Sequence, residues 1–135
     1  MGCSMAASLV AGLKEFRKRI SPDFLFIEPS ERVVTLEMRN LLVMGSREMA
    51  YDIGPFITLV EGPDFEFLWQ ERRPLLIAQM TGADLLAVSK SDLITAGRIA
   101  DFVTTLQAHC SRVLELSTHG NLGLKEVIAA IGEPS

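Results

Sequence analysis

The sequence predicts an α/β fold with a mainly parallel sheet of about four strands and covering helices. One observation is that short apolar runs alternate four times with helix-like stretches, a pattern typical of parallel strands joined by crossover helices. The other is that polar residues follow each apolar run; the four stretches are Asp23–Glu31, Phe56–Glu61, Leu85–Asp92 and Val113–Thr118. Because ligands of open α/β sheets bind beyond the carboxyl ends of the strands, we expect the function to lie at that edge.

The composition is that of one globular domain, with 135 residues, 48% of them hydrophobic, and a formal charge of −4. Basic residues are scattered along the chain, so the sequence lacks the footprint of a nucleic-acid-binding protein. No apolar run approaches the about 20 residues that cross a bilayer, and the first residues lack a signal-peptide pattern. We therefore expect a cytoplasmic protein with no nucleic-acid or membrane partner.

The elements follow from apolar periodicity and from helix start and stop signals. The predicted strands are Asp23–Glu28, Pro55–Val60, Asp84–Val88 and Arg112–Leu116. The predicted helices are Ser4–Arg19, Glu31–Met44, one capped by Asp64, one begun or kinked by Pro74, one capped by Thr95, and Gly123–Ile131.

The strongest local motif is Val88–Leu93, which follows a predicted strand and precedes a helix. A carboxylate at Asp92 can accept two hydrogen bonds from the N1 and N2 edge of guanine. The alkyl stem of Lys90 can lie across the face of the base. The alternative for so short a motif is a strand-to-helix turn with solvated charges.

A second motif, Leu116–Leu124, contains small residues and two glycines. Such residues let the backbone approach a ligand and leave N–H groups free. The alternative is an ordinary structural loop. His119 is interpreted as a solvated loop residue and not as a metal ligand, because no neighbouring His or Cys accompanies it.

Taken in order, four stretches resemble the CobW/HypB/UreG family of GTP-binding metallochaperones, and CobW-like members most of all. They are Asp23–Glu28, Phe56–Val60, Gln79–Leu93 and Leu116–Leu124. The resemblance extends from about Gly2 to Ile131 and is to the later two-thirds of the family's GTPase domain. It implies that residues 1–135 form a single, truncated nucleotide-binding domain with a P-loop-NTPase-like fold.

The resemblance implies GTP and Mg²⁺ as cofactors and assigns the residues that would contact the base. Lys90 and Asp92 match the guanine-specificity motif of the family, with Ser89 where the family usually has Asn. Ser117 and Thr118 match the loop that closes over the base. No catalytic residue is assigned in this chain.

The resemblance also implies two metal positions. Glu28 matches the glutamate that holds Mg²⁺, usually through water, as suits a hard ion that dehydrates reluctantly. Cys3 resembles the start of the cysteine motif that binds the transferred metal. Met5, Ala6 and Ala7 follow it where further cysteines are expected, and one thiolate makes a weak Zn²⁺ or Co²⁺ site.

The phosphate-binding part of the family's site is absent from the sequence. No G-x-x-x-x-G-K-[ST] motif occurs in the 135 residues, so the chain lacks the phosphate-cradling loop, its lysine and its Mg²⁺-binding Ser or Thr. Glu31 also stands where the family places a glycine N–H against the γ-phosphate. We therefore expect the chain to need a P-loop-bearing segment for activity.

Three functions are compatible with the sequence. The first is part of a GTPase that delivers a metal or cofactor to a client enzyme, with the P-loop on another chain or lost to a shifted start. The second is a non-catalytic α/β interaction module. The third is a different α/β enzyme that uses Glu28, Glu61 and Asp92 on a small substrate. The expected partner is a second copy or a P-loop-bearing chain, in contact near Asp23–Glu28, because an unpaired strand edge invites pairing.

Overall fold

The structure, a computed structural model, describes residues 3–46 and 51–132. This part of the chain has α/β architecture, as the sequence predicts, with a 3₁₀ turn at Ser91–Leu93. The elements are α1 Cys3–Ile20, α2 Thr35–Ser46, β1 Ile57–Glu61, α3 Phe65–Glu71, α4 Arg73–Met80, β2 Leu85–Ser89, α5 Ala96–Gln107, β3 Val113–Glu115 and α6 Leu124–Gly132. No helix in these ranges is both long enough and apolar enough to span a membrane.

The three strands of the described residues form one parallel sheet in the order β1-β2-β3. Val60 of β1 pairs with Val88 of β2, which pairs in turn with Glu115 of β3. Helices α3 and α4 connect β1 to β2, and α5 connects β2 to β3, as parallel pairing requires. The second, third and fourth predicted strands are therefore confirmed, with ends shifted by one or two residues.

The predicted first strand, Asp23–Glu28, is wrong. This segment is neither helix nor strand, its residues are exposed, and no strand of the described residues pairs with it. Phe24 and Phe26 are 69% and 74% exposed. An apolar run forms a buried parallel strand only where a neighbouring strand takes up its backbone hydrogen bonds. The described part of the sheet therefore has three strands, not four.

The main hydrophobic cluster of the core lies on one face of the sheet. Val60, Leu86 and Val88 supply the strand side chains of the core, and Phe65, Met80, Phe102 and Leu106 supply the helical ones. Strand β2 is central, and its residues Leu85–Val88 are fully buried. Burying one such apolar side chain contributes about 1.5–3 kcal/mol, so the core accounts for much of the stability of the fold.

Arg39 joins helix α2 to the end of the sheet where strand β2 begins. Its guanidinium pairs with the Asp84 carboxylate at 2.5 Å and donates to the Gly82 carbonyl at 3.0 Å. The same Asp84 oxygen accepts from the backbone N–H of Phe56 at 2.7 Å, and the guanidinium lies 4.3 Å from the centre of the Phe56 ring. Helix α2 is thereby fixed to β1 and β2 together.

Helix boundaries agree with the sequence prediction in part. Helix α2 begins at Thr35 instead of Glu31, because a turn closed by a hydrogen bond from Val33 N–H to the Ser30 carbonyl precedes it. Helix α4 begins anew beside Pro74, as predicted. Asp64 and Thr95 occupy cap positions of α3 and α5, but neither side chain makes a capping hydrogen bond.

Candidate functional site

The three strands end at the same edge of the sheet, and the two sequence motifs follow two of them directly. Strand β1 ends at Glu61, β2 at Ser89 and β3 at Glu115. Because the strands are parallel, the turn after β2 and the loop after β3 emerge side by side. The motifs Val88–Leu93 and Leu116–Leu124 therefore lie next to each other, as the sequence predicts.

Ser91 fixes the turn after β2 to the end of β3. Its side chain is buried, and both its backbone N–H and its hydroxyl donate to the carbonyl of Leu116, at 3.2 Å and 3.1 Å. The preceding residue, Lys90, adopts a left-handed backbone conformation with φ of 54°. Lys90 and Asp92, on either side of the buried Ser91, are exposed.

Lys90 is paired with Glu61 at the neighbouring strand end. The Lys90 ammonium donates to Oε1 of the Glu61 carboxylate, which closes a salt bridge between the ends of β1 and β2. This hydrogen bond, together with the charge of Glu61, raises the pKa of the Lys90 ammonium above its ordinary value of 10.5.

Asp92 is paired with Ser117, so the two sequence motifs are in direct contact. The Ser117 hydroxyl donates to Oδ1 of the Asp92 carboxylate and accepts from the N–H of Gly120 at 3.4 Å. This hydrogen bond lowers the pKa of the Asp92 carboxyl below its ordinary value of 3.8. Asp92 is therefore an exposed, ionised acceptor with one oxygen held by the second motif.

The loop after β3 is closed on itself. Ser117 and Leu122 exchange two backbone hydrogen bonds, at 3.1 Å and 3.0 Å. Asn121 and Gly123 have positive φ values of 54° and 72°, and a Cβ atom on Gly123 would lie 2.0 Å from the Glu115 carbonyl oxygen. Gly123 therefore allows the loop backbone to approach strand β3 of the same chain.

The predicted base-site residues are placed as follows. The Ser89 hydroxyl donates back to the Val60 carbonyl at 3.3 Å, inside the sheet. Thr118 is an exposed residue of the closed loop. The structure brings together three of the predicted side chains, which are Lys90, Asp92 and Ser117.

Of the two predicted metal residues, Glu28 is not joined to this site by the contacts of the described residues. Glu28 lies in the exposed segment that was predicted to be a strand, and within the described residues no hydrogen bond or ion pair links it to the strand ends. Cys3 begins α1, but its side chain lies outside the described residues. In residues 3–46 and 51–132 no cluster of three or more His, Cys, Asp or Glu side chains could hold a metal. The structure therefore brings Lys90, Asp92 and Ser117 to one edge of the sheet but does not bring Glu28 to it.

Sequence reasoning missed two contributors to the site. The buried role of Ser91 cannot be derived from its type, because serine in such a turn is usually exposed. Glu61 was considered only as one of three carboxylates on a small substrate. Its position directly after an apolar run, like that of Lys90, was a signal that both lie at the carboxyl edge of the sheet, but not that the two side chains pair. Glu61 is paired with Lys90, and Asp92 with Ser117. The described residues therefore show no cluster of carboxylates that would support the third function, a different α/β enzyme.

Comparisons of the chain with protein-family models, with curated proteins and with solved structures found no match.

Proposed function

We propose that the edge formed by Glu61, Lys90, Asp92 and Ser117 binds guanine, as part of a GTP-binding domain that resembles those of metal- and cofactor-delivery GTPases. The observation that carries this proposal is the contact between Asp92 and Ser117. Two motifs that lie 25 residues apart in sequence meet through side chains. The exposed carboxylate between them is of the type that guanine recognition needs.

The chemistry of Asp92 favours guanine over adenine. An ionised carboxylate only accepts hydrogen bonds, and guanine offers two neighbouring donors, the N1–H and the N2 amino group. Adenine has an acceptor at N1 and no amino group at C2, so it offers this carboxylate no such pair. A carboxyl with the ordinary pKa of 3.8 is already ionised at neutral pH, and the hydrogen bond from Ser117 lowers the pKa of Asp92 further. The stem of Lys90 can supply an apolar surface beside it.

The phosphates are the part of GTP that this chain does not hold well. The sequence contains no phosphate-cradling motif and carries a net charge of −4. Phosphoryl transfer depends on positioning and charge stabilisation of the phosphates. Hydrolysis therefore requires a P-loop from another segment or chain. In that assembly Glu28 would hold Mg²⁺ through water, and Cys3 would belong to the site of the delivered metal.

Titration of the purified chain with nucleosides and nucleotides tests the proposal. Guanosine should bind in the high micromolar range, about −5 to −6 kcal/mol, and adenosine should bind at least about tenfold more weakly. GTP should bind no better than in the same high micromolar range, because no loop cradles its phosphates. Nanomolar GTP binding would contradict the expected lack of phosphate contacts. Equal affinity for guanosine and adenosine would contradict the recognition of guanine at this edge.

A sharper test of the contact between the base and Asp92 is the variant Asp92→Asn, which should change the base that the chain prefers. An amide at this position offers one acceptor and one donor, which match the N1–H and the O2 carbonyl of xanthine. The variant should therefore lose guanosine and gain xanthosine, while Thr95→Ala, at an exposed position outside the contact, should keep the original preference. An unchanged preference in the Asp92→Asn variant would mean that the base does not meet this side chain.

A second candidate function is a non-catalytic interaction module. It is favoured by exposed large apolar side chains; these include Ile20, Phe24, Leu25, Phe26 and Leu59. Apolar surface of this kind is typical of a contact with another chain. The partner would be a second copy or a P-loop-bearing chain. A stable complex that forms without nucleotide, with a second copy or with a P-loop-bearing chain, would support this function, and a chain that binds neither of them would contradict it.

A further inference from the structure

One edge of the sheet, along β1, has unused backbone hydrogen-bonding groups. The bonds between β1 and β2 include those from Leu85 N–H to the Phe56 carbonyl and from Gly62 N–H to the Ser89 carbonyl. Residues of one strand point their backbone groups to alternate sides, so even-numbered residues of β1 face β2 and odd-numbered residues face away. Within residues 3–46 and 51–132, no hydrogen bond engages the backbone groups of Ile57, Leu59 or Glu61 on the outer side.

An exposed apolar side chain lies at the middle of this edge. Leu59 is 61% exposed, while its neighbour Val60 is buried in the core cluster with Leu86 and Val88. Because successive side chains of a strand point to opposite faces, Leu59 lies on the face away from that cluster. An unpaired strand with a central exposed Leu is a template for pairing with another strand.

The opposite edge of the sheet does not offer the same template. Strand β3 has only three residues, and the loop that follows it folds back so that Gly123 packs against the Glu115 carbonyl. The edge along β1 is longer, with five residues, and no hydrogen bond of the described residues joins a loop to its outer side.

We propose that β1 pairs in antiparallel orientation with β1 of a second copy of this chain, about a twofold axis at Leu59. This inference rests on the interaction function proposed above and specifies its surface and its partner. Alternating N–H and C=O groups along an edge are satisfied by another extended strand. Identical edges related by a twofold axis run antiparallel, and the two sheets then join into one continuous sheet of six strands.

The register of this pairing follows from the three outward residues. With Leu59 opposite Leu59, Ile57 lies opposite Glu61 and every outward backbone group of both copies finds a partner. A shift by two residues leaves Ile57 or Glu61 unpaired. A further shift toward the carboxyl end places Glu61 opposite Glu61, which like charges disfavour. The central register also buries the two Leu59 side chains against each other, so a second copy complements this edge in its backbone groups and at its central apolar side chain.

The test is the oligomeric state of the full chain without nucleotide, measured by light scattering and sedimentation velocity at tens of micromolar. The wild-type chain should be a dimer. Leu59→Lys and Leu59→Glu should each raise the dissociation constant at least about tenfold, because they oppose like charges at the twofold axis. A mixture of these two variants should recover dimers, since Lys then faces Glu. Ile128→Lys is the matched control, because Ile128 is 66% exposed on α6, and it should leave the dimer unchanged.

Each result decides the inference, once circular dichroism confirms that the variants are folded. Dimers that weaken in both single variants and recover in the mixture support antiparallel pairing at Leu59. A dimer insensitive to both Leu59 variants overturns the inference but leaves the interaction function standing on another surface. A wild-type chain that is monomeric overturns self-pairing, and the interaction function then depends on a different partner chain.

Discussion

At the scale of single residues, Ser117 ties the loop after β3 to the carboxylate that follows β2. Its hydroxyl donates to Asp92 and stabilises the charged form of that carboxyl. A lowered pKa contributes to stability above the ordinary value, and the contribution is lost as the pH falls through the folded value. For Lys90 the shift is upward, so its contribution is present below the ordinary value and is lost as the pH rises through the folded value.

Ser117→Ala should raise the pKa of Asp92 toward its ordinary value, because the variant removes the largest cause of the lowered pKa. Carboxyl carbon chemical shifts followed by NMR during a pH titration measure this directly. Ser111→Ala, at an exposed serine just before β3, is the control and should leave the Asp92 titration unchanged. An unaltered Asp92 titration in the Ser117 variant would mean that the two side chains are not bonded in solution.

At the same scale, residue type indicated the base-site candidates but not their partners. Lys90 and Asp92 stand out because charged side chains directly follow a buried apolar strand. Their pairing with Glu61 and Ser117 depends on which strands are neighbours. Sequence alternation does not give strand order, so the partners were out of reach from the residues alone.

At the scale of elements, the loop from Ser117 to Gly123 depends on one glycine. Gly123→Ala should destabilise the fold by at least about 1 kcal/mol, because the position combines a positive φ with a backbone oxygen in the space of the new Cβ. Gly120→Ala in the same loop is the matched control, since a Cβ there meets nothing within 4 Å. Denaturant unfolding of both variants compares them, and equal stability would contradict the close packing at Gly123.

The attachment of α2 to the sheet depends on Arg39. Arg39→Ala should lower the free energy of unfolding by about 1–3 kcal/mol, because it breaks charge-assisted hydrogen bonds to Asp84 and Gly82. Arg98→Ala, which breaks a more exposed pair with Glu66, should cost less than about 1 kcal/mol. If chemical denaturation ranked the two variants in the opposite order, α2 would not be fixed through Arg39.

Elements could be predicted where their own sequence decides them. The alternation of apolar runs with helix signals located the sheet strands and the covering helices, because burial on both faces requires continuous apolar runs. Asp23–Glu28 carries the same signal but lacks a neighbouring strand in the described residues. A strand forms only where a neighbouring strand pairs with it, so an apolar run alone is not enough to predict one.

At the scale of the whole molecule, we propose that the fold supplies one side of a nucleotide site. The carboxyl edge of the sheet presents a paired lysine and an ionised carboxylate, while the sequence contains no phosphate-cradling loop. The edge along β1 and the exposed residues near Phe24 and Phe26 leave surface for another chain. The account therefore predicts that this domain binds guanine without holding the phosphates tightly. GTP hydrolysis would then require an assembly that supplies the P-loop.

The most direct test of guanine recognition is a guanosine titration of the isotopically labelled chain, followed by backbone amide shifts in NMR spectra. The account predicts saturable shifts confined to the turn after β2 and the loop after β3, centred on Asp92 and Ser117, and at least about tenfold weaker binding of adenosine. Shifts that lie elsewhere in the chain, or the absence of any shift at millimolar guanosine, would contradict it.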